Sequence, residues 1–154
     1  MNENLVPKDY ANTLIFELQK AFWDERGKGA RFRMTTVGSA FYQENVQAQL
    51  TTADVDEIIQ TISLILTDKG IVSKVLYTKD DRLFRVIIKG CMHYNVEERM
   101  IANGIEPFTC IPANLIVLAI EEKLDRPVEL AEIKVEEGEC QLLLILFDKR
   151  PSLD

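Results

Sequence analysis

The chain has 154 residues, 47% of them hydrophobic and 28% charged, a composition and length that suit one soluble domain, 1–154, with a single substantial core. Its formal net charge of -7 excludes a phosphate-binding surface, which needs a local excess of Lys and Arg, so no nucleic-acid partner is expected. KGARFR, at 28–33, is the one small basic cluster.

Residues 1–7 read as a loose polar lead. The opening MNENLVPKDY lacks the basic and apolar regions of a signal peptide, and no run approaches the ~20 apolar residues of a membrane helix, so a cytoplasmic chain is expected. Residues 8–24 have helical periodicity. Tyr10, Leu14, Leu18, Ala21 and Phe22 share one side, predicted to be the packed one, while Phe16 and Trp23 lie off it and point to a second partner. Residues 31–50 are the least regular; a helix over 37–50 is the reading that fits Val37, Phe41 and Ala48. Over 52–68, Val55, Ile58, Ile59, Ile62, Ile65 and Leu66 form one apolar stripe, with Thr52 as a candidate cap and acidic Asp54 and Asp56 where the helix dipole favours them.

Two β-rich runs, 71–77 and 83–89, flank a polar connection and predict a hairpin. A loop over 95–107 follows, with one helical turn at 96–102. Cys110 and Pro112 open a further helix, closed by Asp125-Arg126-Pro127. Strands at 128–135 and 140–147 flank a turn at 136–139. The last strand is nearly all apolar, which predicts a central strand covered on both faces. Two hairpins plus amphipathic helices make an α+β fold with an antiparallel sheet. More apolar helix surface than one sheet can cover predicts a homodimer.

Chemistry-bearing residues are few. There is one histidine, His93, and its neighbour Cys91 at i-2 has no third group to orient a dyad; a packed thiol beside a half-exposed imidazole is the expectation. Glu97, Glu98, Glu121, Glu122, Glu136, Glu137 and Glu139 read as solvated faces and turns. No catalytic residue is assigned, and a non-enzymatic protein is expected. Three cysteines in a cytosolic chain read as reduced thiols or metal ligands rather than disulfides. Glu132 and Cys140 lie on neighbouring strands and can approach one another. With Cys110 they are either zinc ligands or two small buried thiols with a surface carboxylate, since a closed zinc site wants four ligands.

The run from the cysteine before a helix, through DRPV and Glu132, to Cys140 and QLLLILF resembles the 4-vinyl-reductase domain family of small-ligand or hydrocarbon-binding domains, related in fold to vesicle-tethering transport-complex subunits. The resemblance covers mainly 52–148. It implies the ligand-binding fold of the NO-signalling and Golgi-transport type, with an apolar pocket between helices and sheet. Trp23, Phe41, Tyr42, Phe84, Tyr94 and Phe108 are the candidate lining residues. It also implies zinc ligands at Cys110, Glu132, Val135 and Cys140. Val135 cannot bind a metal, so the expectation is that Cys110, Glu132 and Cys140 lie close together without tightly held zinc.

The function expected is a non-enzymatic sensor or carrier of a small hydrophobic ligand, acting as a dimer. The alternatives are an assembly subunit without a ligand, working through a protein partner, and an accessory protein of tetrapyrrole (chlorophyll-type) metabolism, which the family's name implies.

Overall fold

The computed structural model describes residues 5–30 and 36–148. Among them are five α-helices: α1 (Lys8–Arg26), α2 (Ser39–Asn45), α3 (Val55–Asp68), α4 (Tyr94–Ala102) and α5 (Ile111–Leu124). Four strands, β1 (Lys74–Asp80), β2 (Leu83–Lys89), β3 (Val128–Glu136) and β4 (Glu139–Leu146), form one antiparallel sheet in the order β1-β2-β4-β3. The fold is α+β, built from two hairpins and packed against helices. None of the described helices is long and apolar enough to cross a membrane.

Alternation decides the two faces of the sheet. Phe84, Val86 and Ile88 of β2 pair with Leu144, Leu142 and Cys140 of β4, and all six are buried under the helices. Their neighbours Arg85, Ile87, Gln141, Leu143 and Ile145 point the other way and keep contact with solvent. The last strand is therefore central but covered on one face only. Its apolar outer residues reflect β-propensity as much as burial. The β3–β4 turn has positive φ at both Glu137 (46°) and Gly138 (83°), the geometry that matches strand twist in a two-residue hairpin loop.

Helix α3 delivers Ile58, Ile59, Ile62, Ile65 and Leu66 to the core. Its cap is Asp54, whose carboxylate accepts from the amides of Asp56 (2.8 Å) and Glu57 (3.3 Å). Thr52, the residue the sequence suggests, instead accepts from the Asp54 amide. Helix α5 contacts α2, α3 and β3 and is buried along most of its length, from Pro112 to Ile120. Its end is set by Asp125 in the left-handed region (φ 52°).

Three segments differ from their sequence reading. The helix expected over 37–50 is the short α2 followed by a 3₁₀ turn, Gln47–Gln49, and residues 31–35 lie outside the described residues. The first strand starts at Lys74, because residues 70–72 still cap α3: the amides of Ile71 and Val72 donate to the Leu66 carbonyl. The expected loop at 95–107 contains α4, whose Val96 and Met100 anchor a second apolar cluster with Ala30, Ile105 and Phe108. Helix α1 docks on this cluster through Ile15, Phe16, Phe22 and Trp23. Of the face expected to pack, Phe22 does so, but Tyr10, Leu14 and Leu18 are turned outward, at 61%, 41% and 72% exposed.

Candidate functional site

A cavity of about 240 Å³ lies at the head of α5. Gly38 and Phe41 form one wall, at the entry to α2. Leu66 and Ile71, from the end of α3 and the turn after it, form a second. Ile111, Pro112 and Leu115 make the floor, and Met92 and His93, from the segment between β2 and α4, close the remaining side. Gly38 sits at φ 106°, and a Cβ there would stand 3.4 Å from Ile111 Cγ2 and 3.6 Å from Leu115 Cδ2. Only glycine lets the chain turn into α2 at this place without strain and without crowding the floor.

His93 is the one lining residue with a polar ring. Asn12, 1% exposed on α1, donates from Nδ2 to the Met92 carbonyl (2.7 Å) and places Oδ1 at 3.1 Å from His93 Nδ1. Burial holds the imidazole pKa below its ordinary value. The Cys91 thiol accepts from the His93 amide (3.4 Å), and burial pushes its pKa up.

A second, larger hollow of about 470 Å³ lies between the end of α1, the segment before α5 and β3. Trp23 and Phe108 stack there, with ring centroids 5.6 Å apart and planes 26° apart. Its edge is charged: Lys28, Glu106 and Glu132 all line it.

Of the six aromatic residues proposed from sequence, Trp23 and Phe108 share this larger hollow and Phe41 lines the apolar cavity. Tyr42 and Phe84 lie in the main core instead. Burial, with the neighbouring Glu122 carboxylate adding to it, pushes the Tyr42 hydroxyl up to about 12, so it is a neutral phenol. Tyr94 opens α4, and its hydroxyl accepts from the Gly138 amide (2.9 Å), tying α4 to the β3–β4 turn.

Of the expected grouping, Cys110 and Cys140 lie within electrostatic reach of one another and Glu132 does not join them. Val135 is the residue opposite Cys140, and Glu132 pairs with Leu143 on the outer face, where it is exposed beside Lys134 (3.6 Å). Strand alternation from Val135 dictates this, because an odd number of steps separates the two residues. Glu97 takes the place of Glu132 near the thiols. It is 6% exposed, its Oε2 has no hydrogen-bond partner among the described residues, and burial pushes its carboxyl up to about 8. Cys91, Cys110 and Cys140 lie within electrostatic reach of it and of one another. Burial first, then Glu97, raises all three; Cys140 reaches about 12. Protonated thiols are neither nucleophiles nor ready metal ligands. Among the described residues, no group of three or more His, Cys, Asp or Glu is arranged to hold a metal ion.

Sequence reasoning missed Glu97 and Asn12. The signal for Glu97 was its place between Val96 and Met100, one helical turn apart, which puts it near a buried stripe. Asn12 carried no signal beyond its place among apolar residues of α1. No protein-family model matches the chain, and no curated protein matches it.

Proposed function

We propose that this protein is a non-enzymatic binding module for a small hydrophobic ligand, of the 4-vinyl-reductase domain type, and that it works as a homodimer. The cavity at the head of α5 is the observation that supports the reading. It is walled by Leu66, Ile71, Ile111, Pro112, Leu115 and Phe41, and concave apolar sites of this kind are where small ligands bind. At about 240 Å³ it suits a ligand of one substituted ring rather than a pigment or a long acyl chain. The larger hollow is a poorer fit for an apolar ligand, because Lys28, Glu106 and Glu132 would lose hydration on its burial.

The test is a titration with p-xylene followed by amide chemical shifts. Saturable shifts confined to residues around Ile111 and Phe41, abolished by Ile111→Trp, are expected. A protein that shows no saturable shift near the solubility limit of p-xylene has no such site.

The homodimer is supported by α1. Tyr10, Leu14 and Leu18 recur at four-residue spacing, and all are exposed, as are Leu5 and Val6 just before them. A helix stripe of this kind normally faces a partner. The earlier grounds, Phe16, Trp23 and the stripe of α3, do not serve, because those residues pack within the chain.

A further inference from the structure

From the larger hollow we infer a second binding site, one that takes a small zwitterion with an apolar side chain, such as an aromatic α-amino acid. It is separate from the cavity at the head of α5 and does not depend on the reading of that cavity.

Size comes first. At about 470 Å³ the hollow lies in the range of sites that enclose small ligands. Three parts of the chain bound it. The end of α1 supplies Trp23 and, just beyond the helix, Lys28; the segment before α5 supplies Glu106 and Phe108; β3 supplies Glu132 and Ile133. Trp23 and Phe108 stack with centroids 5.6 Å apart, so part of the wall is aromatic. Such a surface receives a further ring or an aliphatic chain.

Charge then decides the class. Among the described residues, neither the Lys28 nor the Glu106 side chain has an ion-pair or hydrogen-bond partner. The two carry opposite charges and border the same hollow without pairing to one another, so a gap separates them. Glu132 differs, because Lys134 stands 3.6 Å from it. The unpaired charges on the described wall are therefore one cation and one anion, which sum to zero. An anionic ligand would meet Glu106 with nothing to offset it, and a cationic ligand would meet Lys28 in the same way. An uncharged apolar ligand would strip water from both. A zwitterion answers both at once. Its carboxylate accepts from Lys28, its ammonium donates to Glu106, and its side chain lies on the Trp23–Phe108 stack. Lys28 and Glu106 are exposed, which keeps each pairing modest.

Trp23 is the one tryptophan in the chain, so its fluorescence reports on the hollow directly. The probe is phenylalanine, which is transparent at the red edge of the indole band where Trp23 is excited. A saturable change in Trp23 emission is expected. Phenylalaninamide lacks the carboxylate and N-acetylphenylalanine lacks the ammonium. In mildly acidic buffer, where the free amines are protonated, each should bind about threefold to fivefold more weakly, the scale of one exposed ion pair. Two variants at exposed positions assign the ends. On Lys28→Gln, phenylalanine and its amide should bind alike while the N-acetyl compound stays weaker. On Glu106→Gln the pattern should be exchanged. No saturable change with phenylalanine up to its solubility limit would remove the site. Equal affinity of the unmodified protein for all three compounds, or a pattern that does not exchange between the variants, would show that the aromatic stack binds alone and would overturn the zwitterion.

Discussion

The two interiors of this protein bury different things. Between the sheet and helices α3 and α5, the fully covered residues are aliphatic: Ile58, Ile62, Ile116, Leu142 and Leu144 are each 1–2% exposed or less. Between α1, α4 and the approach to α5, the apolar cluster is smaller, and Asn12, Gln19 and Glu97 are buried in the helices that bound it. Burying polar groups costs free energy that hydrogen bonds only partly return, whereas buried aliphatic surface stabilises directly. The first interior holds the fold. The second is bounded by more buried polar side chains, at a cost in stability. Mutations should separate the two.

The largest expected effect is in the aliphatic interior. Leu144 is fully buried in the middle of β4, paired to Phe84 and Leu130. Leu144→Ala should destabilise by about 2–5 kcal/mol in denaturant melts, the range for truncating a buried leucine. A change within about 0.5 kcal/mol, the scale of surface substitutions, would mean that β4 is not central.

The polar interior should show itself through pH. Glu97 is raised from 4.5 to about 8 by burial. A carboxyl raised on folding binds its proton more tightly in the folded state. Its favourable contribution is complete below the unfolded value, near 4.5, and is lost as pH rises through about 8. Stability should fall across that window with a slope of up to about 1.4 kcal/mol per pH unit. The Cys91, Cys110 and Cys140 thiols facing Glu97 are neutral throughout it, since burial pushes all three up. Glu97→Gln should flatten the slope in melts run at several pH values. An unchanged slope would place the titration elsewhere.

The same division governs what could be read from the sequence. Helix α3, both hairpins and α5 follow from stripes and alternation that have one interpretation. Helix α1 does not, because it is apolar on both sides. Tyr10, Leu14 and Leu18 make one stripe and Ile15, Phe16 and Trp23 another, with Phe22 at their border, and periodicity tells which residues share a face without telling which face is inward. Helix α4 reads from sequence only as a turn at 96–102 because of its charges, Glu97, Glu98 and Arg99; one of these finds its partners only in three dimensions, Arg99 over the Phe16 ring at 5.5 Å and bonded to the Thr13 hydroxyl, and Glu97 is buried near the thiols. Glu132 is a different case. The hairpin was legible, and counting alternation back from Val135 would have put it on the outer face.

A smaller effect tests how far the aliphatic interior depends on its entry. Asp54 accepts from the amides of Asp56 and Glu57 and so supplies partners to two otherwise free donors at the start of α3. Asp54→Ala should cost about 1 kcal/mol, the usual loss of a cap. Thr52→Ala should cost less, because Thr52 bonds only the Asp54 amide. Urea melts of the pair would rank them, and the reverse order would assign the cap to Thr52.

The smallest effect on the single chain should accompany the largest effect on association. Leu14 and Leu18 are 41% and 72% exposed on the side of α1 that faces away from α4. Leu18 is the more exposed of the two and has little covered surface within the chain, so Leu18→Glu should change the stability of the isolated chain by no more than about 0.5 kcal/mol. In a dimer built on this stripe the same residue would be buried, and a carboxylate there would be opposed by its twin across the two-fold axis. Sedimentation at micromolar concentration should then give a dimer for the unmodified protein and a monomer for Leu18→Glu. The melting temperature of the unmodified protein should rise with concentration, as mass action requires when only the folded state associates, and that of Leu18→Glu should not. A single monomeric species across the whole series would show that the stripe has no second copy upon it.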